Sequence, residues 1–232
     1  MKYNYNKMSN LKIHLTEIIN NLKKIIKNAK ITFIIPSINR PSLYRTINSL
    51  IQQKNPNWKA IIVFDGVKSN INITDNRFSI INIDKIGKKN NAGEVRNIAI
   101  KEVDTEWCGF VDDDDTLLNN YVELFYEYIT NESYLDVILF RMKKSNRIIP
   151  EYNENNLIWT PHGNVGISFC TKTDILKIYK FVPHNREDFN LIDKLNKNKK
   201  KIMISDKITY LVNNTSFNES DNLNLKKDYY NV

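Results

Sequence analysis

Three short apolar runs, at residues 31–35, 60–64 and 107–111, constrain this chain more than any other feature. Each is continuous and built largely from β-branched or aromatic residues, the pattern of a strand covered on both faces. Each also stops abruptly in polar sequence. The first leads into Pro36, Ser37, Asn39 and Arg40, the second into Asp65-Gly66, and the third into four successive aspartates, Asp112 to Asp115. Between the first two, Leu43, Ile47, Leu50 and Ile51 recur at helical spacing from Ser42 onward. A weaker strand is predicted at 78–83, then a polar, glycine-containing stretch at 87–93 and a helix over about 92–103. This alternation predicts an α/β fold with a mostly parallel central sheet flanked by helices. Ligands of such sheets bind beyond the carboxyl ends of the strands, so the three polar strand ends point to one binding edge.

The second half reads as a helix at 121–130, a strand at 137–141, a loop at 153–156 and a strand at 166–171. A helix at 172–179, another at 190–195 and strands at 201–204 and 208–212 follow. The tail after Asn213 is polar and is expected to be loose. Before the first strand, Leu11, Leu15, Ile18, Ile19, Leu22, Ile25 and Ile26 form a helical stripe, with Lys12, Lys23, Lys24 and Lys27 on the other face. Such a helix either packs on its own domain or a second copy of the chain, or rests on a membrane surface. The stripe has no Trp or Phe, which favours protein packing.

With 232 residues, 41% of them hydrophobic and 26% charged, the chain can bury a substantial core. Its net charge of +8 is spread over scattered lysines, and the densest run, at 197–201, reads as a solvated turn. That argues against nucleic acid as a partner. Cys108 and Cys170 lie in apolar stretches without zinc-ligand spacing, so reduced core residues and a reducing compartment are expected. No apolar run of about 18 residues is present, hence no transmembrane span. There is also no leader-like hydrophobic segment. The expected location is the cytoplasm, free or at the periphery of a membrane.

Four adjacent carboxylates at a strand end repel one another and lose acidity unless a cation sits among them. A hard divalent ion, Mn²⁺ or Mg²⁺, suits carboxylate oxygens and shares its shell with substrate phosphates. The alternative is an acidic turn or helix cap, since Asp115 precedes Thr116-Leu117-Leu118.

The segment Ile31-Thr-Phe-Ile-Ile-Pro-Ser-Ile-Asn-Arg40 resembles the first strand and loop of glycosyltransferase family 2, inverting transferases of the GT-A fold. Asn91-Ala-Gly-Glu-Val-Arg-Asn-Ile-Ala-Ile100 is similar to the family's Gly-x-x-x-Arg-Asn helix, and Phe110-Val-Asp-Asp-Asp-Asp-Thr116 to its D-x-D segment. Gly163-Asn-Val-Gly-Ile-Ser-Phe-Cys170 resembles its acceptor-side strand, and Arg186-Glu-Asp-Phe-Asn-Leu-Ile192 its Glu-Asp motif. Each motif alone is weak; together, in this order over about 31–212, they are specific.

The resemblance implies a metal-dependent transfer from a nucleotide-diphosphate sugar, a UDP-sugar first among donors, to a hydroxyl on a glycan, lipid or protein. It divides the chain into an N-terminal extension (1–30), one GT-A domain (31–212) and a tail (213–232). Within the domain, 31–115 forms the nucleotide-binding half and 116–212 the acceptor half. Pro36, Ser37, Asn39 and Arg40 are implied to border base and ribose, and Asp65 to contact the base. Arg96 and Asp113 are implied to lie on the nucleotide side. Asp112 would contact ribose or the metal shell, Asp114 would ligate the metal, and Asp115 would touch metal or sugar. Asp188 matches the catalytic base, which accepts the acceptor's proton as its oxygen attacks. Glu187 is implied to orient Asp188 or bind acceptor hydroxyls; read from its residues alone, the pair fits an acidic first turn of a helix equally well.

Two departures stand out. Many members carry Asp-Asp-Gly-Ser after the second strand, where this chain has Phe64-Asp65-Gly66-Val67, so that one carboxylate remains. No histidine stands near Val212-Asn213-Asn214 to complete a metal shell, leaving water, His162 or His184 for that place. Tyr152 and Trp159 are candidates to stack on an acceptor sugar, and Lys88 and Lys89 to face a diphosphate. Two other functions fit the same chemistry: a sugar-nucleotide nucleotidyltransferase, or a nucleotide- or sugar-binding module without turnover. The first is disfavoured because the loop from Pro36 to Pro41 lacks glycine.

Overall fold

The computed structural model describes residues 15–16, 29–87, 92–150, 165–223 and 225–230. Leu15 and Thr16 are helical; the rest of the stripe at 11–27 lies outside the described residues, as do Lys88, Lys89, Tyr152, Trp159, His162 and the loop at 153–156.

The first half alternates as expected: β1 (Ile31–Ser37), α1 (Leu43–Ile51), β2 (Trp58–Asp65), β3 (Phe78–Ile83), α2 (Gly93–Glu102) and β4 (Trp107–Phe110). The order β3-β2-β1-β4 is parallel throughout, with Ile31 opposite both Trp58 and Trp107. Every residue of β1 is buried, which explains its lack of polar alternation. β3 lies at the sheet edge and alternates in exposure.

The second half continues the same sheet through β5 (Thr116–Leu117), α3 (Tyr121–Asn131), β6 (Val137–Lys144), β7 (Arg147–Ile149), β8 (Phe169–Lys172), α4 (Thr173–Ile178), α5 (Glu187–Lys197), β9 (Ile202–Leu211) and β10 (Asp228–Tyr230). The path runs β10-β9-β6-β8-β4-β1-β2-β3, with β5 on β9 and β7 on β6. β8 enters antiparallel between β4 and β6, so the mostly parallel sheet is mixed at its centre.

Several boundaries differ from the sequence reading. The strand expected at 166–171 begins only at Phe169. The strands expected at 201–204 and 208–212 are one strand, β9, whose pairing with β6 shifts register between Leu139 and Met142. Ser205 keeps the strand continuous there: its hydroxyl accepts from the Lys207 amide and donates to the Lys207 carbonyl. The last helix starts three residues earlier than expected, at Glu187, because the Glu187 amide already bonds the His184 carbonyl.

The polar tail also departs from expectation. Residues 219–222 form a 3-10 turn, and β10 pairs antiparallel with β9. Arg141, fully buried on β6, fastens this segment by donating to the Lys226 carbonyl and to Asp228, while Lys143 pairs with Asp221 at 2.6 Å. Trp58, Trp107, Phe33, Tyr121 and Phe140 anchor one core on the sheet's faces. Cys108 and Cys170 are buried free thiols within it, and burial raises both pKa values, that of Cys170 to about 12. No described helix is long and apolar enough to cross a membrane.

Candidate active site

A cavity of about 760 Å³ opens beyond the carboxyl ends of β1, β2 and β4, within the size range of small-ligand sites. Pro36, Ser37, Arg40, Asp65, Arg96, Asp112, Asp113, Asp114, Asp115, Glu187 and Asp188 all line it. Asn39 does not; it turns the chain with a left-handed φ of 65°, its amide bonded to Ser37 Oγ. That corrects its expected place against the nucleotide.

The four aspartates are sorted by side. Beyond β4 the Asp115 amide closes a turn onto the Asp112 carbonyl, and Thr46 of α1 donates to the Asp115 carbonyl. The side chains of Asp112 and Asp114 keep 38% and 34% exposure, whereas that of Asp113 keeps 5%. Asp113 accepts from Ser37 Oγ at 2.7 Å and from Arg40 at 3.1 Å, so its carboxylate fastens the β1 loop to the β4 turn. Ser37 is spent on the same bond. Both were expected to hold the nucleotide, and their engagement with each other makes them supports of the cavity wall. Asp115 is likewise buried, accepting from the Tyr210 hydroxyl at 2.7 Å and the Asn213 amide at 2.9 Å. Burial, then the neighbouring charge of Asp112, pushes Asp115 up to about 7 despite those donors.

Asp112 and Asp114 each have one oxygen on an arginine: Asp112 Oδ1 on Arg96 at 2.5 Å, and Asp114 Oδ2 on Arg40 at 3.1 Å. Their other oxygens carry no hydrogen bond among the described residues. No group of three or more His, Cys, Asp or Glu side chains is assembled for a metal among the described residues. Two hard carboxylates facing a phosphate-sized cavity still fit Mn²⁺ or Mg²⁺, whose shell is ordinarily completed by substrate phosphate and water. His184 is no candidate for that shell, since it is exposed outside the cavity and its Nδ1 accepts from the Arg186 amide.

Asp65 at the end of β2 is already engaged. It accepts from Lys85 Nζ at 2.6 Å and from the amides of Ile86 and Gly87. Burial opposes its charge, but these donors outweigh it and hold the carboxyl below its ordinary value. Its role is to pin the loop after β3 against the cavity, with Lys85 and Gly87 at the rim. A side-chain carbon on Gly87 would stand 2.5 Å from Asp65 Oδ2, so this approach requires glycine.

The far wall comes from α2 and α5. Arg96 on α2 is buried and reaches Glu187 through Nη1 and Asp112 through Nη2. Burial disfavours its charge, but Asp112, Asp188 and Glu187 together raise its pKa above the ordinary arginine value. Glu187 is buried and accepts from the Ala92 and Gly93 amides as well as Arg96. Its carboxylate therefore caps the start of α2. These bonds fix Glu187 at the junction of α2 and α5, beside Asp188.

Asp188, one residue on, differs. Its Oδ1 is buried without a hydrogen-bond partner, and the nearest cation, Arg96 Nη1, stands 3.9 Å away. Burial pushes its pKa up to about 7; Arg96 opposes the rise, and Asp112 and Glu187 add to it. A carboxylate at a cavity wall with one oxygen buried, without a hydrogen bond among the described residues and held only by a 3.9 Å ion pair to Arg96, is a group able to take a proton near neutral pH. Lys85, Lys144, Asn185, Tyr210 and Asn213 complete the surroundings and were missed in the sequence. Only the position of Asn213 just after a strand hinted at the site.

The family model described as glycosyl transferase family 2 matches residues 32–194. An uncharacterized glycosyltransferase of Rickettsia bellii (strain RML369-C) is 28% identical over 125 residues, covering 50% of this chain and 17% of that protein. This chain thus spans under a fifth of that relative's length. Among solved structures, S. aureus TarS 1–349 in complex with UDP-GlcNAc superposes with a TM-score of 0.63 at 22% identity, covering 83% of this chain and 60% of that one. The mannosyltransferase PcManGT of Pyrobaculum calidifontis, in complex with GDP-Man and Mn²⁺, gives 0.58 at 12% identity, covering 79% and 56%. The fold is that of GT-A glycosyltransferases, and with its model covering most of the described sheet, this chain belongs to glycosyl transferase family 2.

Proposed function

We propose that this chain transfers a sugar, with inversion, from a nucleotide-diphosphate sugar to a hydroxyl group of a glycan, lipid-linked or protein acceptor. A UDP-sugar is the first candidate donor, as TarS was solved with UDP-GlcNAc. The observation that carries the reading is the carboxylate of Asp188, whose Oδ1 has no hydrogen bond among the described residues, on the wall of the cavity that Asp112 and Asp114 also face.

In this reading the nucleoside lies toward β1 and β2, between Pro36, Arg40 and the Asp65–Lys85 pair. The diphosphate lies toward the β4 turn. Asp112 and Asp114 would hold Mn²⁺ or Mg²⁺, which when bound supplies Lewis-acid neutralisation of the departing diphosphate; PcManGT was solved with Mn²⁺. Arg40, exposed beside Asp114, adds positive charge on the same side. As the acceptor oxygen bonds to the anomeric carbon, the bond from that carbon to the diphosphate breaks, and the hydroxyl proton passes to Asp188. Glu187 and Arg96 keep Asp188 in place by locking α5 to α2. Residues 31–115 then serve the donor and 116–212 the acceptor.

The test is turnover of a UDP-sugar panel with Mn²⁺ by wild type and Asp188→Asn. The variant should lose about 10²–10⁴-fold in transfer while retaining nucleotide affinity. Turnover at the wild-type rate would refute the assignment of the base.

A further inference from the structure

The outer face of α4 and α5 carries a surface that the transfer chemistry does not use. Ile178 and Val182 are 74% and 60% exposed, unusually open for branched aliphatic side chains. Between them lie Tyr179 and the exposed Lys180. Lys194 of α5 and Lys200 beyond it place their ammonium groups 5.4 and 5.9 Å from the centre of the Tyr179 ring. Lysines of α5 and of the segment beyond it thus meet the ring of a tyrosine that stands, along the chain, between two exposed aliphatics. Lys197 pairs with Asp193 at 2.7 Å; the other acidic groups on these elements are Asp174 at the start of α4 and Glu187 and Asp188, which line the cavity.

The patch is held in a fixed place. Asn97 of α2 donates its side-chain amide to the Phe181 carbonyl and accepts from the Phe181 amide, clamping the backbone between Tyr179 and Val182. Phe181 itself packs against Phe110 and Phe169 in the core. Three residues past Val182, Asn185 lines the cavity.

We propose that this face docks on an anionic lipid bilayer, with Ile178 and Val182 entering the interface while Lys180 and Lys194 meet the headgroups. The composition selects this occupant. Exposed branched aliphatics gain nothing against a phosphodiester backbone but bury themselves at the boundary of headgroups and acyl chains. Tyrosine favours that same depth, and lysines nearby are drawn to anionic headgroups.

Sedimentation of the full chain with vesicles tests this without requiring turnover, so its failure is separable from failure of the transferase reading. Wild type should sediment with vesicles of phosphatidylcholine mixed with phosphatidylglycerol, much less with phosphatidylcholine alone, and less at high salt. The double variant Lys180→Glu, Lys194→Glu should lose about tenfold or more in partitioning. Ile178→Ser with Val182→Ser should lose binding at unchanged charge. Both pairs are exposed, and an unchanged melting temperature confirms the fold. Absence of wild-type binding, or wild-type binding by either double variant, overturns the proposal. The latter result would move attachment to another surface such as the stripe at 11–27. Duplex DNA binding that depends on Lys180 and Lys194, without vesicle binding, would overturn it in favour of a polyanion site.

Discussion

Asp188 bears a cost that its neighbours only partly relieve. Its folded pKa near 7 stands above the ordinary aspartate value of 3.8, so between those values the folded chain holds a proton that the unfolded chain has released. The unfolded state then binds fewer protons, and stability falls as pH rises from about 4 to about 7. Asparagine mimics the protonated form and escapes that loss. In EDTA, Asp188→Asn should melt close to wild type below about pH 4 and clearly above it near pH 8; a melting difference that does not change with pH would contradict the raised pKa. The aspartate cluster shows the same principle by sorting. Asp113 and Asp115 point into the protein and hold Ser37, Arg40, Tyr210 and Asn213, while Asp112 and Asp114 face the cavity. In the sequence these four are identical letters. The alternation became visible only once the partners on β1 and β9 were placed.

At the scale of elements, the coupling of α2 to α5 positions the base. Glu187, in the first turn of α5, satisfies the opening amides of α2, and Arg96 of α2 returns to Glu187 and Asp112. Gly93 permits the approach: a side-chain carbon there would meet Glu187 Oε2 at 2.5 Å and Phe181 Cβ at 2.8 Å. Gly93→Ala should therefore destabilise by about 1–3 kcal/mol and lower transfer by shifting the Glu187–Asp188 turn. Urea unfolding and turnover equal to wild type would count against the coupling. The returning tail makes a second elemental contact. Asp228→Asn weakens the hold of buried Arg141 on β10 and should cost about 1–3 kcal/mol; an unchanged urea midpoint would mean that β10 contributes nothing to stability. The runs that became β1, β2 and β4 were legible because strands buried on both faces are continuous in apolar sequence. β5, β7 and β10 were not, since strands of two or three residues carry no periodicity. The Arg96–Glu187 pair joins residues 91 apart, a distance over which no local pattern speaks.

Across the whole molecule, the parallel half of the sheet builds one wall of the cavity, and the inserted antiparallel β8 turns the chain back so that α5 can build the other together with α2. The motifs conveyed which residues would meet at the carboxyl edge, and all but Asn39 line the cavity there. They did not convey which carboxylates are spent on the protein itself. Glu187 and Asp65 proved to be engaged by backbone amides, and Asp188 did not. The +8 net charge had no assigned place in the sequence; part of it gathers around Tyr179. The account depends on the β4 turn gripping a nucleoside diphosphate together with a divalent ion, and calorimetric titration of UDP into the chain measures this directly. It predicts binding with Mn²⁺, abolished by EDTA and by Asp114→Ala. Equal affinity in all three conditions, or no binding of UDP or any other nucleoside diphosphate with Mn²⁺ present, would contradict it.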